Sequence, residues 1–72
     1  MPAPQPALPD GFPWPERTRE WWAMLATAPF AVVAEATDWE YLLDTALVHS
    51  DVWGNWNIDR LPELTARTSK YV

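Results

Sequence analysis

Apolar residues recur along the chain at helical spacing in three separate stretches, and proline or glycine marks where each stretch starts or stops. In "WPERTREWWAMLATAP", Thr18, Trp21, Trp22 and Leu25 follow at i, i+3, i+4 and i+7, which gathers them on one stripe. Pro15 suits a first helical turn and Glu16 adds a favourable charge beside the N-terminal dipole. Pro29 disfavours helical backbone at Ala28, so the pattern predicts a helix over about 15–27. The second stretch opens on "TDWE", a capping box in which Thr37 and Glu40 satisfy each other's backbone N–H groups. It ends near Trp53, with Gly54 where a left-handed cap is expected, and predicts a helix over about 38–53. The third, "NWNIDRLPELTARTSKYV", starts at Asn57 or Asp59 and predicts a helix over about 58–70. Pro62 must lie in its first turn, where a missing N–H costs little.

What lies outside these stretches is short. "PFAVVAEA" has the valines of a strand, but a lone strand would have nothing to pair with, so it is read as an apolar connector packed on the helices. The opening "MPAPQPALPDGFPWP" holds six of the eight prolines. Repeated proline removes backbone donors and feeds neither helix nor sheet, so residues 1–14 read as a disordered or extended leader. The expectation is an all-α chain: a leader over 1–14 and a single three-helix domain over 15–72.

The central helix is unusual in having two apolar faces. At 100° per residue, Trp39, Leu42, Leu43, Ala46 and Trp53 fall within roughly a 100° arc. Tyr41, Val48 and Val52 form a narrower arc on the other side, with Glu40, Asp44 and Asp51 along one border and Thr45 and His49 along the other. Either the fold wraps this helix on both sides or its second face meets another subunit, and the subunit contact is the reading preferred. That contact is expected at Tyr41, Val48 and Val52, with Trp22 and Leu47; the core is expected at Trp21, Leu25, Trp39, Leu42, Leu43, Ala46, Trp53 and Leu61. On the third helix, Ile58, Leu61, Thr65, Thr68 and Val72 share a face. Arg60, Glu63, Arg67 and Lys70 line the other, with Glu63 and Arg67 spaced for an ion pair.

Size sharpens the case for assembly. A chain of 72 residues, its leader set aside, has a small core and usually needs disulfides, a metal or a partner. There is no cysteine, and one histidine cannot build a zinc site alone, so oligomerisation remains. Six tryptophans fit a core or an interface. No apolar run approaches the ~20 residues of a membrane span, and no basic segment precedes a hydrophobic one as in a signal peptide; the expected compartment is the cytosol.

The net charge of −5 sits almost wholly in residues 35–53, which hold Glu35, Asp38, Glu40, Asp44 and Asp51 without a base. This argues against nucleic acid at the centre of the chain, whereas residues 59–72 carry a net +1. Catalytic chemistry finds no foothold. The two glycines, Gly11 and Gly54, make no phosphate loop. In "HSD", His49, Ser50 and Asp51 are helical neighbours about 100° apart and form no triad, so His49 is expected at the surface or an interface. The aspartates Asp38, Asp44 and Asp51 converge on no cation cage. No catalytic residue, cofactor or metal site is expected.

Together "LPDGFPWPERTREWWAMLATAPFA", "ATDWEYLLDTALVHSDVW" and "LTARTSKY" resemble the small subunit of phage terminases, in the short form of actinobacterial phages and prophages. The likeness covers about residues 8–71, through a T-R-x-W-W helix (Thr18, Arg19, Trp21, Trp22) and a T-D-W-x-x-L-x-D segment (Thr37, Asp38, Trp39, Leu42, Asp44). The resemblance implies a non-catalytic, helical packaging factor in the host cytoplasm. Such a factor forms a homo-oligomeric ring, recognises viral double-stranded DNA and regulates the large terminase subunit that carries the ATPase and nuclease. Proteins of this group usually continue past the lysine–tyrosine end of the third helix into a further charged segment, whereas this sequence stops at Lys70, Tyr71 and Val72. The available phosphate contacts are Arg60, Arg67 and Lys70, with Arg17 and Arg19 behind them. A helical protein–protein adaptor, an inhibitor or assembly factor without a DNA role, is the alternative; a transcription factor is disfavoured because no helix presents a basic recognition face.

Overall fold

The computed structural model describes residues 1–71, and within them the chain forms three α-helices and no strand. Helix α1 spans Glu16–Leu25, α2 spans Ala36–Gly54 and α3 spans Leu61–Thr68. Short 3-10 turns at Pro29–Val32 and Ile58–Arg60 join them. Pro29 acts as expected: Ala28 before it is extended, at φ −71° and ψ 149°. Two end signals lie elsewhere than expected. The pair at the start of α2 is Glu35 and Asp38, not Thr37 and Glu40; the Glu35 N–H donates to Asp38 Oδ2 at 2.9 Å, so the helix starts two residues earlier. Gly54 is the last helical residue, and the left-handed backbone falls on Trp56 at φ +56°. What Gly54 supplies is room, because a Cβ there would meet Pro15 Cγ at 2.9 Å.

Helix α2 lies in the middle and is wrapped on both sides by its own chain. On one side Trp14, Trp21, Trp22, Leu25, Ala34, Trp39, Leu42 and Ala46 form the main core, with Leu43, Phe30 and Tyr71 partly buried against it. On the other, Val48 and Val52 pack against Leu64 of α3. Val48, Val52 and Trp22, expected at a subunit contact, are therefore buried within the chain, at 6 %, 3 % and 6 % exposure. The expected buried face of α3 is also rotated: Leu64 and Thr68 are buried, whereas Ile58, Leu61 and Thr65 are exposed. Val72, placed on that face by its spacing, lies outside the described residues. Trp53 and Leu61, expected in the core, reach the surface at 36 % and 43 % exposure.

The leader supplies a further layer. Its backbone runs extended against α1 and α2, tied by Ala3 N–H to the Ala34 carbonyl at 2.8 Å and by Gln5 Nε2 to the Trp22 carbonyl at 2.8 Å. Three indole N–H groups donate to its carbonyls: Trp14 to Pro9 at 2.9 Å, Trp22 to Pro6 and Trp39 to Ala3, both at 3.0 Å. The physical fit is direct. A buried indole needs an acceptor, and a proline-rich extended backbone offers carbonyls that no regular structure consumes.

Candidate nucleic-acid interface and neighbouring surfaces

The five cations proposed for DNA fall into three separate places. Arg67 and Lys70 share the first, around two tyrosines. From α3, Arg67 reaches back to α2, where Nε donates to Thr45 Oγ1 at 2.9 Å and Nη2 to the Tyr41 carbonyl at 3.4 Å. Its guanidinium carbon stands 4.3 Å from the Tyr41 ring centre. Lys70 Nζ lies 5.0 Å from the Tyr71 ring and 5.8 Å from that of Tyr41. Tyr71 donates to Asp38 Oδ1 at 3.1 Å. The Asp38 carboxyl is held below its ordinary range, first by the Glu35 N–H and then by Tyr71. Among the described residues neither Arg67 nor Lys70 forms an ion pair.

Arg60 sits apart, at the C-terminal end of α2. It forks onto Glu63 at 3.1 and 3.2 Å and bonds Asp51 Oδ2 at 3.1 Å. Glu63 thus pairs with Arg60, three residues earlier, rather than with Arg67; the 3-10 turn brings Arg60 round to it. Asp51 holds the whole connection, also accepting from Asn55 Nδ2 at 2.7 Å and Asn57 Nδ2 at 2.9 Å. These bonds, with the Arg60 charge, lower its pKa. The remaining two cations flank α1. Arg17 lies 5.0 Å over the Trp53 ring and pairs with Glu20 at 3.6 Å, while Arg19 Nε donates to the Trp14 carbonyl at 3.4 Å.

Of the residues read as a subunit contact, Tyr41 and Leu47 keep exposed surface. Leu47 lines an open groove of about 530 Å³ with Phe12, Pro13, Pro15 and Gly54.

His49 is not at the surface. It is 4 % exposed, shares a 2.9 Å hydrogen bond with Thr18 Oγ1 through Nδ1, and stacks on Trp21 at 4.6 Å between centres. Burial, and then the nearby Arg17 charge, push its pKa down to about 4, so it is neutral at pH 7. Thr45, the other polar border residue, is fully buried, its hydroxyl donating to the Tyr41 carbonyl and accepting from Arg67. The Thr45–His49 border therefore closes over buried polar pairs, whereas Glu40 and Asp44 on the other border stay exposed.

Compared with models of known families, the whole chain, residues 1–72, matches the one described as phage terminase small subunit. The chain belongs to that family. No curated protein and no solved structure matches it. Membership carries a role in phage DNA packaging, and it makes the Arg67–Lys70 corner the feature to weigh in this terminase small subunit. Sequence reasoning found those two cations but missed Tyr41 and Tyr71 as their platform. The signal was available: Tyr41, Arg67 and Tyr71 are amphipathic side chains that bury a body and expose a tip. Among the described residues no helix is long and apolar enough to cross a membrane.

Proposed function

We propose that this terminase small subunit is a non-catalytic packaging factor that self-associates, contacts viral double-stranded DNA and regulates the large subunit carrying the ATPase and nuclease. The observation that carries the reading is the family match over the full length of the chain. The geometry supports a DNA contact at Arg67 and Lys70, which no carboxylate within the described residues neutralises by an ion pair. Arg60 contributes less, because two carboxylates already hold its guanidinium. Arg17, over Trp53, and Arg19, beside the Trp14 carbonyl, serve as secondary contacts. Two cations per chain bind phosphate weakly, so the reading needs several copies acting together. Tyr41 and Leu47 remain the exposed candidates for the contact between copies.

A non-catalytic role is supported by the environment of His49. Thr18 and His49 stand at the distance of a nucleophile and its base, but Thr18 is fully buried, so no substrate reaches its hydroxyl. The pair is a core hydrogen bond.

The test is retardation of double-stranded DNA across a salt series. The reading expects binding that weakens steeply with salt, with each phosphate contact adding about 0.9 to the log–log slope. Arg67→Glu with Lys70→Glu should abolish retardation, while Arg60→Gln should leave most of it. Salt-insensitive binding, or full binding by the double reversal, would overturn the assignment. No DNA binding at any salt by a multimeric protein would favour the adaptor reading.

A further inference from the structure

Four large apolar side chains reach the surface together where α2 gives way to α3. Trp56 is 70 % exposed, Ile58 62 %, Leu61 43 % and Trp53 36 %. With the buried Val52 they line a cleft of about 100 Å³, room for one side chain of proline or leucine size. The two indole rings stand 6.2 Å apart. Trp56 is held in the left-handed region, at φ +56°, which is unfavourable for a bulky residue and recurs at functional positions. What holds it there is Asp51, whose carboxylate clamps the side chains of Asn55 and Asn57 on either side of Trp56. The fold accepts local strain and still leaves the tryptophan in solvent.

Size and chemistry both bear on the occupant. The exposed parts of the four side chains amount to on the order of 400 Å², about half of the ~800 Å² each partner gives to a stable interface. A second folded copy would be held too weakly there, whereas a short extended segment needs only such an area. The same chain shows how its tryptophans hold such a segment, because Trp22 and Trp39 donate to the carbonyls of Pro6 and Ala3 in the proline-rich leader. Trp53 and Trp56 offer the same donors, and neither indole N–H makes a hydrogen bond within the described residues. The chain's own leader is already engaged, with Pro6 and Ala3 accepting from Trp22 and Trp39.

We infer that this cleft docks an extended, proline-rich segment of a partner protein. A proline ring fills the cleft, and the indole N–H groups of Trp53 and Trp56 donate to backbone carbonyls. The site stands apart from the principal DNA contact proposed at Arg67 and Lys70: Tyr41 and Trp53 are separated by about 18 Å along the helix axis, and of the secondary contacts Arg17 lies over the Trp53 ring. Failure of either reading leaves the other standing.

The test uses the full chain with ¹⁵N-labelled indoles, titrated with a synthetic peptide of sequence MPAPQPALPDGF, the chain's own first twelve residues. The expected result is saturable movement of the Trp53 and Trp56 indole resonances, with at least tenfold weaker binding by a peptide whose prolines are all alanine. Trp56→Ala and Ile58→Asp, both at exposed positions, should abolish the response while keeping the dispersed core spectrum. Three outcomes would overturn the inference: no movement at millimolar peptide, movement confined to Trp22 and Trp39 through exchange with the leader, or equal binding by the alanine peptide. A rise in mass with concentration that Trp56→Ala removes would assign the patch to a second copy instead, and would also overturn it.

Discussion

Lowering the pH from about 6.5 to 4 should destabilise this protein through one residue, His49. His49 is buried against Trp21 and bonded to Thr18, with a pKa of about 4 against an ordinary value near 6.5. Between those values the unfolded chain binds a proton that the folded chain refuses. Stability must then rise with pH across that window and fall as pH drops from about 6.5 to 4. A shift of that size corresponds to roughly 3 kcal/mol, at about 1.4 kcal/mol per unit. A domain of this length has about 4–11 kcal/mol in total, so the loss is a large share. It would lower Tm by on the order of 15 °C. Because the chain has one histidine, its C2–H resonance reports the titration directly, and urea unfolding followed by tryptophan fluorescence reports the stability. His49→Gln should be less stable at pH 7.5 but nearly flat between pH 6.5 and 4.5. A His49 resonance that titrates near 6.5, or equal pH slopes in the two proteins, would refute the argument.

Three further outcomes follow from the packing. Gly54→Ala should destabilise by about 1 kcal/mol, although alanine favours a helix, because its Cβ would meet Pro15 Cγ at 2.9 Å; thermal melts should show Pro15→Ala rescuing it. Trp56→Gly should raise stability by about 1 kcal/mol by relieving the left-handed strain while removing the peptide response, and a melt that falls instead would mean the indole is needed for folding. Deleting residues 2–9 removes the carbonyls that accept from Trp14, Trp22 and Trp39. At about 1–3 kcal/mol for each orphaned donor, the shortened chain should lose its near-ultraviolet dichroism at 25 °C, and a Tm within a few degrees of the intact chain would contradict this.

The parts legible in the sequence were those governed by local chemistry. Pro15, Pro29 and Pro62 located the helix ends to within a few residues, and the stripe Thr18, Trp21, Trp22 and Leu25 is buried along its length. What could not be read was which surface covers which. Val48 and Val52 have the same pattern whether Leu64 of this chain or another subunit meets them. Thr45 and His49 looked like a polar border because periodicity counts polar atoms as exposed. Their distant side-chain partners, Arg67 and Thr18, lie 22 and 31 residues away. For the same reason Arg60 read as a free cation: one of its two acceptors, Asp51, is nine residues away across the 3-10 turn.

The leader bears most on how so short a chain holds together. Eliminating disulfide and metal leaves oligomerisation as the remaining source of stability only if residues 1–14 contribute nothing. They contribute acceptors. Trp22 and Trp39 lie in the main core with their N–H groups inside it, where an unpaired donor would offset much of what burying the rings gains. Helices α1 and α2 have already used the carbonyls near those rings for their own turns. A segment forbidden from regular structure by Pro2, Pro4, Pro6 and Pro9 keeps its carbonyls free, and so can face a row of indoles. Proline content and tryptophan content in this chain are thus two halves of one interaction. The second face of α2 is covered by α3, and the first by α1 and the leader, so assembly is no longer required to bury α2. The self-association we propose would then use exposed side chains such as Tyr41 and Leu47, whose contacts can form and release without uncovering the core.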